Sequence, residues 1–233
     1  MSRGRRQNHL DLSTVSFISP GNTCGAISME GVSRQTFMAI SVLTPVSTFD
    51  LIQIAFNHRD LIPLQQDLLW RIERGVVRTL TWSEAGKVIA LGYWGSGDVV
   101  GQPPCRVNPY EIECLTNVEV TPVPSHRWHQ VLDAILLHTQ QTEELLSIVR
   151  YEQIRERLLQ FLIWLSRKFG RDLDQGQLID LRLTHQEIAE VIGTTRVTVT
   201  RLLNQFEQEG IINRPCRHFI LLRKNYSLMT KKA

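Results

Sequence analysis

The chain has 233 residues, 42% of them hydrophobic, and a formal charge of +3 from 26 Lys and Arg against 23 Asp and Glu, enough to bury one sizeable core and a second smaller one. No apolar run reaches the ~18 residues of a membrane span, and the start, MSRGRRQNHLDLSTVSF, lacks the apolar stretch of a secretory signal. A soluble cytoplasmic protein with no membrane partner is therefore expected. Cys24, Cys105, Cys114 and Cys216 form no C-x-x-C pair, which argues against a zinc knuckle or disulfide framework and leaves reduced structural thiols.

The first 45 residues mix Ser, Thr, Gly and Pro with little periodicity, as a disordered tail does. From 46 to 124 the pattern is of short apolar or alternating runs broken by Gly, Pro, Asn and Asp, which predicts a compact antiparallel roll packed with side chains or holding one small ligand. Within it, Leu68 to Trp82 and Lys87 to Trp94 flank SEAG, a hairpin connection with Gly86 free to take positive φ; Gly95, Gly97 and Asp98 mark the next tight turn.

From Ser125 to Tyr151 the signal is helical. Leu132, Ile135, Leu136, Leu145, Leu146 and Val149 form a stripe on a helix from Trp128 to about Tyr151. At ~1.5 Å per residue it is longer than a small roll needs for cover, so it suits a helix shared between two subunits or one surface helix. His126 and His129, three apart, stand at its start without acidic or cysteine partners nearby, as a surface pair does rather than a metal site.

Residues 150–233 carry 15 Lys and Arg against 9 Asp and Glu, whereas residues 1–149 carry 11 against 14. The C-terminal part therefore suits an anionic partner. Thr184 with Glu187 is a capping-box pattern; it opens a helix with Ile188, Ala189 and Ile192 inward and Gly193 at its end. Thr194 or Thr195 caps a second helix whose inward face is Val199, Leu202, Leu203 and Phe206. That leaves Arg196, Val197, Thr198, Thr200 and Arg201 outward. Threonine is a mediocre helix former, so these residues do not serve helix stability. Guanidinium, hydroxyl and methyl groups on one face are what reading base edges and gripping phosphate require. The pattern predicts a helix-turn-helix through about residue 224. Its candidate DNA contacts are Thr184, His185, Gln186, Thr194, Thr195, Arg196, Val197, Thr198, Thr200 and Arg201, with Arg217 on a basic wing hairpin around Arg214, Pro215 and Cys216. Residues 225–233 read as a tail.

The order of these segments resembles the cyclic AMP receptor protein and FNR family of bacterial transcription regulators. RERLLQFLIWLSRKFG and IDLRLTHQEIAEVIGTTRVTVTRLLNQFEQEGII look closest to the cyanobacterial global nitrogen regulator subgroup. The resemblance implies an α+β fold with a cyclic-nucleotide-binding-like roll, a dimerisation helix and a winged helix-turn-helix. It also implies a homodimer, a near-palindromic double-stranded operator, contact with RNA polymerase, and activation of nutrient-assimilation genes of the nitrogen type. A paralogue answering to sulfur supply and controlling sulfate uptake carries the same residues. Val197 stands where the cyclic AMP receptor protein has a glutamate, so a half-site closer to GTA is implied.

Where nucleotide-binding members carry Gly-Glu-Leu and an Arg-Ser or Arg-Thr pair, this chain has GQPPCRVNPYEIE from Gly101 to Glu113, with Gln102 for the glutamate and two prolines in place of a helix start. The departure argues against cyclic AMP, and no cofactor is expected. For 2-oxoglutarate, an anion, Arg106 is the segment's one cation and candidate contact, with a solvated loop arginine as the other reading. Cys24 alone does not make an iron–sulfur site. Two rivals are a cupin-like enzyme, which the strands oppose by lacking an H-x-H pair, and a protein-interaction module, which would bind without strong salt dependence.

Overall fold

The computed structural model describes residues 53–215 and 218–222. The tails predicted at 1–45 and 225–233, Cys24, Cys216 and Arg217 lie outside the described residues.

Eight strands make the roll: β1 Ile54–Phe56, β2 Leu61–Ile62, β3 Leu68–Arg74, β4 Val77–Trp82, β5 Val88–Trp94, β6 Val99–Gly101, β7 Glu111–Cys114 and β8 Val118–Pro124. They form two antiparallel sheets, ordered β1-β8-β3-β6 and β2-β7-β4-β5. Inward side chains from both sheets, among them Trp70, Ile72, Val77, Trp94, Ile112 and Val120, close one apolar cluster between them, each large side chain contributing about 1.5–3 kcal/mol of burial. The hairpin around SEAG forms as expected, pairing Trp82 with Val88 and leaving Gly86 at φ 72. Its first arm is not continuous from Leu68 to Trp82. Gly75, at φ 87, breaks it into β3 and β4, and the two halves enter different sheets. A Cβ there would fall 2.3 Å from the Asn117 carbonyl oxygen, so only glycine lets the chain cross at this point.

The long helix starts later than predicted. Ser125–Val131 is 3-10 helix, and α1 runs Leu132–Val149. Of the predicted stripe only Leu145 is buried, joined by Ile148, while Leu132, Leu136 and Leu146 are 54–59% exposed. The spacing of three and four was set by two faces of α1, one on the chain's own core and one bare.

After a short break, α2 Ile154–Phe169 brings Leu158, Phe161, Leu162 and Leu165 into the main core. A hairpin absent from the sequence expectation follows: β9 Gly170–Leu173 and β10 Gly176–Ile179. β10 pairs with β12 Phe219–Leu222, which pairs with β11 Ile212–Asn213, so the wing is the outer part of a four-stranded sheet. Between them stand α3 His185–Ile192 and α4 Arg196–Gln208. No helix among the described residues is long and apolar enough to cross a membrane.

Candidate nucleic-acid interface

The turn between α3 and α4 is built from local chemistry. The Thr184 hydroxyl accepts from Glu187 N at 3.1 Å, and the Glu187 carboxylate accepts from Thr184 N at 2.7 Å, completing the capping box. Gly193 ends α3 at φ 71 and ψ 45, the left-handed conformation that costs any other residue about 1 kcal/mol or more. Thr195 caps α4, its Oγ accepting from Thr198 N at 3.2 Å. Arg157 of α2 donates to Ile192 O at 2.7 Å and to Tyr151 O, placing a cation at the negative end of α3.

Ile188, Ala189 and Ile192 of α3, with Val199, Leu202, Leu203 and Phe206 of α4, are all buried. The opposite face of α4 is bare: Val197 is 78% exposed, and Arg196 and Arg201 flank it without an ion-pair partner among the described residues. An apolar side chain that exposed beside two free guanidinium groups has no role in the chain's own packing.

The other predicted contacts fall into two groups. Thr194, Thr195 and Thr198 stay at the α4 N-terminus, where hydroxyls and backbone N–H groups suit phosphate. His185 and Thr200 hold each other: the Thr200 hydroxyl donates to Arg196 O at 2.9 Å and lies 2.8 Å from His185 Nδ1. Nδ1–H is thus the donor, and Nε2 is left as an acceptor. Burial, then the charges of Arg214 and Arg196, lower the His185 pKa and favour this neutral form. Gln186 is exposed in the first turn of α3 and donates to Glu190 Oε1 at 3.1 Å. In the wing, Arg214 is tied to Glu207 and donates to Asn204 Oδ1 at 2.8 Å. A cleft of about 1150 Å³ opens beside this face, with Arg182, His185, Arg196 and Arg214 on one wall and His58 and Arg59 of the roll on the other.

Arg106 is exposed on a segment, residues 102–109, that contains no helix. Among the described residues no three His, Cys, Asp or Glu side chains gather as a metal site, and His126 and His129 are both exposed on the 3-10 turn. Burial lifts the Cys114 thiol to about 12, keeping it inert.

Sequence reasoning missed a buried ion network under the helix-turn-helix. Arg78 of β4 donates to Glu113 Oε2 at 2.7 Å and to Glu190 Oε2 of α3 at 2.8 Å. Arg59, in the β1–β2 turn, reaches Glu113 Oε1 at 2.8 Å and Glu187 Oε1 at 2.9 Å. Burial opposes the charge on Arg78, and Glu113 more than offsets it, so the Arg78 pKa is raised. Burial likewise acts against the Glu113 carboxylate, but hydrogen bonds from Arg59 and Arg78 leave its pKa lowered. The signal was in VRTLTW: an arginine in an otherwise two-sided apolar strand needs a buried partner.

A roll, a long helix with one bare apolar face and a helix-turn-helix with an outward basic face define a DNA-binding transcription regulator. Residues 156–226 match the Crp-like helix-turn-helix domain. The chain is 43% identical over 174 residues to the regulatory protein CysR of Synechococcus elongatus, spanning 72% of this chain and 83% of that one. It is 33% identical over 186 residues to the global nitrogen regulator of Synechocystis sp., spanning 72% and 80%. A CRP-family transcriptional regulator from Thermus thermophilus shares the fold with a TM-score of 0.65 at 21% identity, covering 77% of this chain and 96% of that one. The chain belongs to the Crp-Fnr family of transcription regulators.

Proposed function

We propose that the chain acts as a homodimer that seats two α4 helices in successive major grooves of a near-palindromic operator, ~34 Å apart, and activates transcription through contact with RNA polymerase. The observation that carries this reading is the bare face of Arg196, Val197 and Arg201 on a helix whose other face is fully buried. Arg196 and Arg201 read guanine edges or grip nearby phosphate, Val197 packs on a thymine methyl, and Thr194, Thr195 and Thr198 hold the backbone. The bare leucines of α1 meet their counterparts in a second copy.

The regulated genes serve nutrient assimilation. Identity of 43% over 174 residues to the protein named CysR, against 33% and 30% over comparable lengths of two global nitrogen regulators and 46% over only 72 residues of a third, supports the sulfur-responsive alternative. Selection of binding sites from random duplex DNA at two salt concentrations tests the reading. A two-fold symmetric site with GTA-like arms and affinity that falls steeply with salt is expected. A folded dimer that enriches no sequence, or binding indifferent to salt, would reject it.

A further inference from the structure

The ion network joins two parts of the molecule: β4, β7 and the β1–β2 turn of the roll on one side, α3 on the other. Two features set it apart from incidental surface pairing. Arg78 and Glu187 are almost fully buried, 6% and 4% exposed. Arg59 holds a backbone φ of 76, the only positive-φ residue other than glycine among the described residues, a conformation that costs about 1–2 kcal/mol. In that conformation its guanidinium spans Glu113 and Glu187. Local strain kept at a side chain that bridges two elements points to a purpose in the bridge itself.

The network is directional where the surrounding packing is not. The Tyr93 hydroxyl adds one long directed bond, donating to Glu187 O at 3.4 Å, but the apolar contacts of its ring with Phe161 of α2 resist separation and allow sliding. Charge-assisted hydrogen bonds fix angles. Every carboxylate oxygen of Glu187 and Glu190 has a donor: Arg59 and Thr184 N for the first, Arg78 and Gln186 for the second. Buried pairs of this kind add little net stability and much specificity of arrangement.

We propose that Arg59, Arg78, Glu113, Glu187 and Glu190 form a clasp that fixes the angle of the helix-turn-helix on the roll, and so sets the half-site spacing that the dimer accepts. The proposal rests on the dimeric DNA-binding reading above. These are positioning residues: none of the five is assigned a DNA contact. Without the clasp, α3 and α4 swing about the break between α1 and α2, and the two recognition helices lose their set separation.

The test compares the full-length wild type with an Arg59→Asn/Glu190→Gln double variant on operators whose half-sites are moved apart by zero, one or two base pairs. Asparagine tolerates the left-handed backbone, and Arg78 keeps Glu113, so the lesion removes the arms to α3 while sparing the fold. Two inserted base pairs displace a half-site by about 7 Å and rotate it by about 70°. The wild type is expected to lose at least about tenfold in affinity on that operator, and the double variant about threefold or less, with equal binding of the two proteins to an isolated half-site. Glu187→Gln, which keeps the capping box, is expected to give an intermediate profile. Spacing profiles that coincide in wild type and both variants would overturn the clasp and leave the DNA-binding reading intact. A wild type that binds no duplex would overturn both. Thermal melts of the variants within a few degrees of wild type confirm that spacing, and not folding, is being read.

Discussion

His138 of α1 lies flat on Trp94 of β5, ring centroids 3.8 Å apart and planes 6° from parallel. Its Nδ1 is 3.0 Å from Val99 O, so Nδ1 carries the hydrogen and donates there. Lys168 of α2 places its Nζ 4.7 Å from the Trp94 ring centroid and is paired with Asp98 at 2.8 Å. Burial, then the charge of Lys168, lowers the His138 pKa below the ordinary 6.5, although the Val99 bond and Asp98 pull it up. The folded chain therefore binds fewer protons than the unfolded one in the window below 6.5, and stability falls as pH drops through it. Denaturant midpoints between pH 7.5 and 5.5 should show this fall, and His138→Phe, which keeps the stack, should reduce it to the part contributed by His185, whose pKa is also lowered. An unchanged slope in the variant would assign the effect to another group.

Glu113 acts in a separate window. Its pKa is held below the ordinary 4.5, so its contribution is present above that value and lost as pH falls through the folded one. Wild type should lose stability more steeply than Glu113→Gln below pH 4.5. At pH 7 the variant should be the less stable of the two, because the glutamine leaves Arg78 and Arg59 short of charge.

The turn between α3 and α4 makes a local prediction. Thr184→Ala removes the acceptor for Glu187 N and should cost about 1 kcal/mol in unfolding free energy. Gly193→Ala should cost a similar amount from backbone strain alone, since the added Cβ meets nothing closer than Arg157 Nη1 at 3.6 Å. Both are measured by chemical denaturation. A neutral Gly193→Ala would mean the turn can relax out of the left-handed region.

Bare Leu132, Leu136 and Leu146 predict the oligomeric state of charge variants. Leu136→Glu should yield monomers in sedimentation at micromolar concentration while leaving the thermal melt of the monomer undiminished, because that side chain is 54% exposed within the chain. Dimers that persist would place the interface elsewhere.

On the recognition helix, Arg196→Ala should weaken specific binding by ~1–3 kcal/mol and relax preference at one operator position if it reads a base. Uniform weakening across sequences would assign it to phosphate. Val197→Glu supplies an acceptor for a cytosine amino group and should shift the preferred base at one position of each half-site.

The helix-turn-helix was legible because its determinants are local: a threonine and a glutamate three apart, one glycine, and apolar residues at helical spacing. The SEAG hairpin was legible for the same reason. What the sequence concealed depends on distant partners. GRDLDQGQLI carries too many charges to read as two strands, and it becomes a hairpin because β12 pairs with β10 from more than forty residues away. The stripe on α1 mixed a face that meets the chain's own core with one that does not, and periodicity alone cannot separate them. Thr200 reads as outward by spacing, but its hydrogen bonds to His185 and the Arg196 carbonyl are visible only in the folded chain. Arg78 and Glu190 stand 112 positions apart, beyond any motif.

The apolar core runs without interruption from Leu80 and Tyr93 of the roll, through Leu145, Ile148 and Phe161, to Ile188 and Phe206 of the helix-turn-helix. Exchange of parts among relatives is constrained by this continuity. A chimera that joins another member's roll to this recognition helix would set foreign side chains against Phe161 and Ile188, and its junction would have to be repacked before it folded. Altering operator preference by substitution on α4 leaves that core untouched, so new specificities are reachable one surface residue at a time, whereas a new roll must arrive together with the helices it leans on.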